Sequence, residues 1–230
     1  MVFGINMSNM TNTTNTRDEI WTLIENDPSI MLDLNRGLIN VRALARHCAN
    51  AGINGTEDAI ISAIRRYPKE TETTKQYSTA LDIVSQSVIS TKSHIVSVAL
   101  IKGAETQKTL PLLFSCVNYE KGETLRLVQG EESIKVLVDE RNLTKILELI
   151  PQRLIIKTLK GLAEINMHLH PKAVETPGII YAITGELFRN GVVMYEVMSC
   201  VPELLIFVEE EELLKAYKVL FSLCHPKEKK

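Results

Sequence analysis

The residues best suited to bind a small molecule lie in the segment Glu175–Ile180, Glu-Thr-Pro-Gly-Ile-Ile, which precedes an apolar run with helical spacing. The first N–H groups of a helix have no intrahelical partner, so this segment can receive a carboxylate, and Gly178 would let a ligand approach closely. The same residues also fit an ordinary helix start, with Thr176 as the N-cap and Pro177 in the first turn. The residue types leave both roles open, and the ordinary helix start is the commoner one.

His168 and His170 form a second candidate site. They lie two residues apart in a segment of alternating apolar and polar residues, 162–170, so both side chains should leave the same face of a strand. Two imidazoles can bind zinc, but the spacing places no third ligand, and the companions Glu164 and Asn166 are typical of a solvated or interface surface. We therefore predict no metal site.

Four arginines, Arg42, Arg46, Arg65 and Arg66, lie on two predicted helices that are joined by a turn at 51–55. In a helix-turn-helix DNA-binding domain such side chains contact phosphates or guanine edges. Residues 1–90 contain 8 Lys and Arg against 10 Asp and Glu, a net charge of −2, whereas DNA-binding domains typically carry a basic surface. The helical segment therefore either contacts DNA through these arginines or serves in assembly.

No catalytic motif is evident in the sequence. It contains no Gly-x-Gly-x-x-Gly or Gly-x-x-x-x-Gly-Lys-Ser/Thr phosphate loop, no His-Glu-x-x-His and no Gly-x-Ser-x-Gly. We therefore predict that the protein is not an enzyme and needs no cofactor. The 230 residues have a net charge of −2 and include neither a signal peptide nor an apolar run of the roughly 18 residues that a membrane span needs. These features predict a cytoplasmic protein that has no contact with membranes.

The hydrophobic spacing changes along the chain and separates a helical part from a strand-rich part. Spacing of three to four residues predicts short helices after Arg17, with Asn40 and Thr56 as N-caps. From Ser93, strand and helix patterns follow in the order βαββαβ, and this order begins again at Leu162. The predicted fold class is α+β, with a helix-turn-helix-like domain followed by two ferredoxin-like βαββαβ units.

The predicted boundaries are a disordered leader at 1–16, the helix-turn-helix-like head at 17–75, a connector at 76–92, the βαββαβ units at 93–159 and 160–225, and a charged tail at 226–230. Within the connector, residues 77–88 fit either a helix or a strand. The tail is too short and too polar to form the last strand of the second unit. That strand is either missing or supplied by another segment.

Three motifs of the second unit, Glu175–Ile180, Asn190–Val193 and Glu211–Ala216, resemble the regulatory ACT domains of aspartate kinase. The first unit matches less well, since its corresponding loop, Lys102–Thr106, has no Pro-Gly. In the second unit, Val192-Val193 replaces the asparagine that the family has at the start of the second strand. The head, with Leu38–Arg46 as its clearest part, resembles the head domain of uncharacterised archaeal proteins that pair a winged-helix-like module with ACT-type units.

This resemblance implies allosteric binding of a small molecule, often an amino acid, at interfaces between ACT units. It points to a small-molecule-sensing regulatory protein, with transcription regulation through DNA as one output. The alternative is a regulatory subunit or adaptor that binds no DNA and assembles with a separate enzyme. Exposed strand edges predict a homodimer through the ACT units. The implied ligand-binding residues are Thr176, Pro177, Gly178 and Ile179 on the loop, and Met198 and Ser199 on the strand opposite.

Overall fold

The computed structural model describes residues 15–68 and 71–226. Most of the predicted leader, two residues of the head's last segment and nearly all of the predicted charged tail lie outside these ranges. The chain divides into two compact units, 1–75 and 76–230. None of the helices in the described ranges is both long and apolar enough to cross a membrane.

Between residues 15 and 68, the N-terminal unit contains four short helices, each of which begins at a side-chain cap. The caps are Asn15, Asp27, Asn40 and Thr56, whose side-chain oxygens accept hydrogen bonds from N–H groups of the first helical turn. The predicted caps Asn40 and Thr56 are thereby confirmed. The helices are α1 (Thr16–Asn26), α2 (Pro28–Asn35), α3 (Val41–Asn50) and α4 (Glu57–Arg65).

These four helices enclose a small apolar core. Ile20 and Ile24 of α1 are fully buried, and Ile60 and Ile64 of α4 are almost so. The indole of Trp21 packs edge-on against Tyr67 and donates a hydrogen bond to a backbone carbonyl of α4. A buried side chain of this size stabilises the fold by about 1.5–3 kcal/mol, so a handful of them can hold so small a unit together.

The described chain from residue 71 to residue 226 contains five further helices and one six-stranded sheet. The helix α5 contains the boundary between the two units, and it settles the open assignment of 77–88 as helical up to Val84. The elements are α5 (Glu72–Val84), β1 (Val88–Ile101), α6 (Ala104–Leu113), β2 (Leu125–Gln129), β3 (Ser133–Asp139), α7 (Leu143–Leu149), β4 (Ile155–His168), α8 (Ile179–Arg189), β5 (Glu196–Cys200), β6 (Glu203–Glu209) and α9 (Leu213–Cys224).

The sheet has the strand order β2-β3-β1-β4-β6-β5, and every neighbouring pair is antiparallel. From β1 to β4 the elements follow the predicted order βαββαβ. The alternating segment 162–170, with which the second unit was predicted to begin, is largely the second part of one long strand, β4, which ends at His168. Only its second half shows the regular alternation of apolar and polar residues that is typical of a strand with one apolar face. For this reason the sequence suggested that a new unit begins near Leu162.

The central strands β1 and β4 each serve both halves of the sheet. Residues Val88–Lys92 pair with Glu164–His168, beside β6 and β5, and thus supply the strand that the sequence left open for the second unit. The remainder of β1 pairs with β3 and with the first half of β4. The register shifts where His94 and Gly161 adopt positive φ angles of 57° and 71°, so each central strand changes direction midway.

The two faces of the sheet are covered differently. One face carries the helices: α5, α8 and α9 pack on β4 and β6, and α6 and α7 pack on β1 and β3. The other face carries a smaller apolar cluster that includes Leu162, Leu205 and Phe207. On this face Arg126 of β2 lies 3.1 Å from Glu164 of β4, although two strands separate β2 from β4. Because strands are spaced about 4.8 Å apart, this contact requires a strongly curled sheet.

Candidate functional site

The loop between β4 and α8 is ordered by its own hydrogen bonds. Its central part, Pro171–Glu175, is a 3₁₀ turn. The backbone N–H of Lys172 donates to Nδ1 of His170 at 3.2 Å, and the Thr176 hydroxyl donates to the Lys172 carbonyl at 2.7 Å. His170 therefore works as the cap of this turn, with its Nδ1 as the acceptor. Since β4 ends before His170, the two histidines do not form the paired face that alternation suggested.

The start of α8 differs from the ordinary helix start that the sequence allowed. The helix begins at Ile179 with Gly178 as its N-cap, and no side chain of a described residue caps it. Thr176 cannot be the N-cap because its hydroxyl is bonded to Lys172, and Pro177 lies before the helix. The first-turn N–H groups of α8 therefore have no side-chain cap among the described residues, and the dipole at a helix start favours an anionic acceptor.

A cavity of about 300 Å³ lies between this helix start and the turn that joins β5 to β6. Its volume is at the lower end of the range for small-molecule sites, and its mainly apolar wall with a few polar groups is typical of them. No lysine or arginine lines it. We call it the α8 cavity; its wall consists of Leu169, His170, Ala173, Val174, Thr176, Gly178, Ile179, Ile180, Tyr181, Ser199, Val201, Pro202 and Glu203.

Four of the six predicted ligand-binding residues, Thr176, Gly178, Ile179 and Ser199, line the α8 cavity. Pro177 does not line it and is exposed to solvent. Met198 packs against the apolar cluster on the other face of the sheet. It does so because successive side chains of a strand point to opposite faces, so adjacent residues 198 and 199 cannot both face one cavity.

Gly178 has a second role besides the expected one of letting a ligand approach closely. Its φ of +93° is a conformation that favours glycine. A Cβ atom at this position would lie 3.5 Å from the Cβ of Ala80 and 4.0 Å from the Cα of Tyr77, so the bare side of the glycine faces α5. The absence of a side chain at Gly178 therefore permits this turn to pack on a helix, in addition to lining the cavity.

Sequence reasoning missed most of the wall. The backbone N–H of Leu169 donates a hydrogen bond of 2.8 Å to the Pro202 carbonyl, which brings together two loops that are distant in sequence. This contact brings into one wall the residues His170, Val201 and Glu203. Tyr181 is one residue beyond the segment that was singled out. A usable signal was the length of the β4–α8 loop, since ten residues between a strand and a helix exceed the usual two to six.

The corresponding loop of the first half of the sheet is built differently. Only Lys102 and Gly103 separate β1 from α6. The Lys102 N–H donates to the Glu132 carbonyl at 3.3 Å and its Nζ to the Gly130 carbonyl at 3.1 Å, so this loop is joined directly to the β2–β3 turn. The buried Thr106 hydroxyl also bonds back to Ile101. The two loops therefore differ in length: the β1–α6 loop has two residues, whereas the β4–α8 loop has ten, is joined to the β5–β6 turn through Leu169, and lines the α8 cavity.

A larger space of about 920 Å³ runs along α5, the end of α8 and α9. Two of its charged wall residues form ion pairs: Lys215 lies 2.8 Å from Glu212, and Glu186 lies 2.7 Å from Arg189. None of the residues predicted to bind a ligand lines this groove. We therefore regard the smaller α8 cavity as the candidate site.

On the sheet face opposite the helices, Arg126 and Glu164 form an ion pair that is mostly shielded from water. Burial lowers the pKa of Arg126, but the hydrogen bond and the charge of Glu164, together with the charge of Glu203, outweigh this effect and raise the pKa above its ordinary value. Glu203 also accepts a hydrogen bond of 2.7 Å from the Asn166 amide. The edge of the α8 cavity is thus connected to a charged network on the other face.

In the N-terminal unit, the four predicted DNA-binding arginines are exposed. Arg42 and Arg46 lie on α3, Arg65 ends α4, and Arg66 follows it and donates from Nε to a carbonyl of that helix. The first turn of α4 contains Glu57 and Asp58. Arg65 and Arg66 therefore lie at the opposite end of α4 from its acidic start. In the described part of the chain, no group of three or more His, Cys, Asp or Glu residues could hold a metal ion.

No family model and no curated protein matches this sequence. Among solved structures, it is similar to aspartate kinase from Clostridium acetobutylicum, with 18% identity and a TM-score of 0.48 over 59% of this chain and 34% of that one. It is also similar to a putative C-terminal regulatory domain of aspartate kinase from Porphyromonas gingivalis W83, with 15% identity and a TM-score of 0.44 over 59% of this chain and 94% of that one. The ligand-free regulatory subunit of aspartate kinase from Thermus thermophilus matches with 11% identity and a TM-score of 0.44 over 62% of this chain and 97% of that one. This chain thus spans about a third of the clostridial kinase. At these scores the similarities assign neither a family nor a function.

Proposed function

We propose that this protein is a non-catalytic regulator that senses an amino acid through the α8 cavity, and that its sheet consists of two interleaved ACT-type units. The observation that carries the proposal is the uncapped start of α8 at the wall of a largely apolar cavity. The N–H groups at this helix start suit a carboxylate, and the apolar wall suits an aliphatic side chain. The strand Val88–Lys92 completes the second unit in this interpretation.

Thermal unfolding in the presence of each of the twenty amino acids at about 1 mM tests the proposal. A ligand at about 100 times its dissociation constant adds about 2.7 kcal/mol of stability. For a chain of this length each kcal/mol raises the midpoint by about 2–4 °C, so a ligand should raise it by about 5–11 °C. A panel in which no amino acid changes the midpoint would contradict the proposed ligand class.

Two variants on β5 locate the site. Ser199→Phe should fill part of the α8 cavity and remove the shift, because Ser199 lines the cavity and is exposed at its rim. Val197→Phe is the matched control, since Val197 lies on the same strand and the same face but outside the cavity wall. Gly178 is less suitable as a target because any side chain at φ +93° strains the backbone. An unchanged shift in Ser199→Phe would move the site elsewhere.

The output of the sensor belongs to the N-terminal unit, which we propose acts by contacting DNA or by assembling with a separate enzyme. Arg42, Arg46, Arg65 and Arg66 support DNA contact. The acidic residues Glu57 and Asp58 favour assembly, because a helix-turn-helix reader presents its base-contacting residues at the start of its second helix. The helix-turn-helix identity of this unit is part of the proposal.

Binding to a 30-base-pair duplex, measured at rising salt concentrations, separates the two outputs. A DNA-contacting unit should bind more weakly as salt rises, and Arg65→Ala with Arg66→Ala should weaken binding further and flatten the salt dependence. Equal binding by the parent and the double variant would exclude a role of these arginines in DNA contact. The homodimer remains part of the proposal, supported by the edge strands β2 and β5, and sedimentation of the parent protein tests it.

A further inference from the structure

We propose that Tyr77 and Ala80 of α5 position the ligand-binding turn, so that α5 responds to what occupies the α8 cavity. This inference rests on the proposed function for its purpose, but its structural part concerns the ligand-free protein alone. Neither residue is among those singled out from the sequence. Their role would be that of positioning residues, because they act through Gly178 and Tyr181 and do not themselves line the α8 cavity.

The first contact is between Ala80 and the turn at Gly178. A Cβ placed on Gly178 would be 3.5 Å from the Cβ of Ala80, which is ordinary van der Waals contact, and Ala80 is fully buried. The small size of both residues is what brings α5 against the turn. Any movement of this turn towards or away from a ligand must therefore either move α5 or open a gap beside Ala80.

The second contact is between Tyr77 and Tyr181. Their ring centroids lie 5.7 Å apart with an interplanar angle of 67°, an edge-on arrangement that aromatic pairs prefer. Tyr181 lines the cavity and lies in the first turn of α8. The Tyr77 hydroxyl interacts with Arg189 at the end of the same helix and helps to raise the pKa of that guanidinium. Tyr77 thus touches both the cavity end and the far end of α8.

The helix α5 is held firmly enough to respond as a body. Ile83 and Val84 are buried in the same apolar core as Ile179 and Ile183 of α8. The first residues of α5, up to Lys75, belong to the N-terminal unit. A ligand that prefers one position of the turn would therefore bias the position of α5.

Hydrogen–deuterium exchange of the full-length, ligand-free protein tests the proposal, with Tyr181→Leu as the variant. The matched control is Phe188→Leu, an aromatic residue of the same helix that is 78% exposed. Loss of an aromatic pair should speed amide exchange in the α5 peptide 76–87 by about two- to tenfold. The same variant should leave exchange in β3 unchanged, because the loss of one local contact changes the local opening of α5 more than it changes the global free energy of unfolding.

The reciprocal variants act from the other side. Tyr77→Leu should speed exchange at residues 178–184, whereas Tyr77→Phe keeps the ring and should restore the parent rate there. Unchanged exchange of α5 in Tyr181→Leu overturns the proposal, and so does an equal effect of Phe188→Leu, which would show a general loosening of α8. Because no ligand is present, these results are separate from the amino-acid panel. If no amino acid shifts the unfolding midpoint but Tyr181→Leu speeds exchange in α5, the proposed function is refuted and the positioning role of α5 stands. If an amino acid shifts the midpoint but exchange in α5 is unchanged, the proposed function stands and the positioning role is refuted.

Discussion

The ion pair between Arg126 and Glu164 allows a quantitative test of the curled sheet. The carboxylate side chain of Glu164 is only 5% exposed, and both of its oxygens accept hydrogen bonds from Arg126, at 3.1 and 3.4 Å. Arg126→Met would leave this carboxylate without its partner in a buried position. Removing one member of a buried pair costs about 3–5 kcal/mol, and since Arg126 itself is one-third exposed we expect the lower end, about 3 kcal/mol.

The assay is urea and thermal unfolding at neutral pH. A loss of about 3 kcal/mol should lower the midpoint temperature by about 6–12 °C for a chain of this length. The exposed pair of Arg153 and Glu105 provides the control, because Arg153→Met should cost less than about 1 kcal/mol. The double variant Arg126→Met with Glu164→Met should recover most of the loss, since a buried ion pair can often be replaced by apolar side chains at little cost.

Two results would refute this reasoning. If Arg126→Met costs no more than Arg153→Met, water reaches Glu164 and the two ends of the sheet are not held together as described. If the double variant is as unstable as Arg126→Met alone, the cost comes from lost packing of the arginine stem and not from an unpaired charge. Lys135 and Glu196 form a second pair across the same face, so a small effect of Arg126→Met combined with a large one of Lys135→Met would place the main closure there.

Four further predictions follow from individual residues and from the two loops. Gly178→Ala should destabilise the protein by about 1–2 kcal/mol, measured by urea unfolding, because alanine resists the left-handed conformation. Of the four cysteines, exposed Cys200 should react first with a thiol reagent, whereas burial raises the pKa of Cys224 to about 11 and should delay its reaction until the protein unfolds. The hydrogen bond from the Asn118 N–H lowers the pKa of Glu123, so Glu123→Gln should lower the unfolding midpoint at neutral pH, and this difference should vanish as the pH falls through the lowered pKa. Calorimetry with any amino acid that passes the panel should give one ligand per chain, since the ten-residue β4–α8 loop lines a cavity whereas the β1–α6 loop has only two residues; two per chain would contradict that distinction.

The sequence was most informative where structure is decided locally. Asn40 and Thr56 were recognisable as caps because the side chain that caps a helix lies next to the N–H groups that it satisfies. The same rule does not extend to Asn142, which directly precedes α7: its amide donates to Glu123 at 2.7 Å, and a 3₁₀ turn precedes the helix. A partner that is distant in sequence competed with the local one, and single-residue preferences contain no information about it.

The candidate site shows the same limit. Thr176, Gly178, Ile179 and Ser199 could be singled out because the turn and the helix start are local features, and Ser199 was found through a resemblance. Met198 packs on the other face of the sheet, and the sequence did not fix which face of β5 points to the helices. His170 and Glu203 could not have been included, because their proximity depends on the pairing of β4 with β6.

The interleaving of the two halves was not predictable for a related reason. The segment 88–92, Val-Ile-Ser-Thr-Lys, is polar in its second part and resembles a connector, yet it pairs with the most regular part of β4. The place of a strand in a sheet depends on the strands with which it pairs. Where helices already cover the neighbouring strand, one apolar residue can suffice, and here it is the half-buried Ile89. The consequence for function is direct: because the chain enters the sheet through this strand immediately after α5, the half that contains the α8 cavity is also the half to which α5 is attached. The α8 cavity and the buried residues of α5 therefore belong to the same half of the sheet.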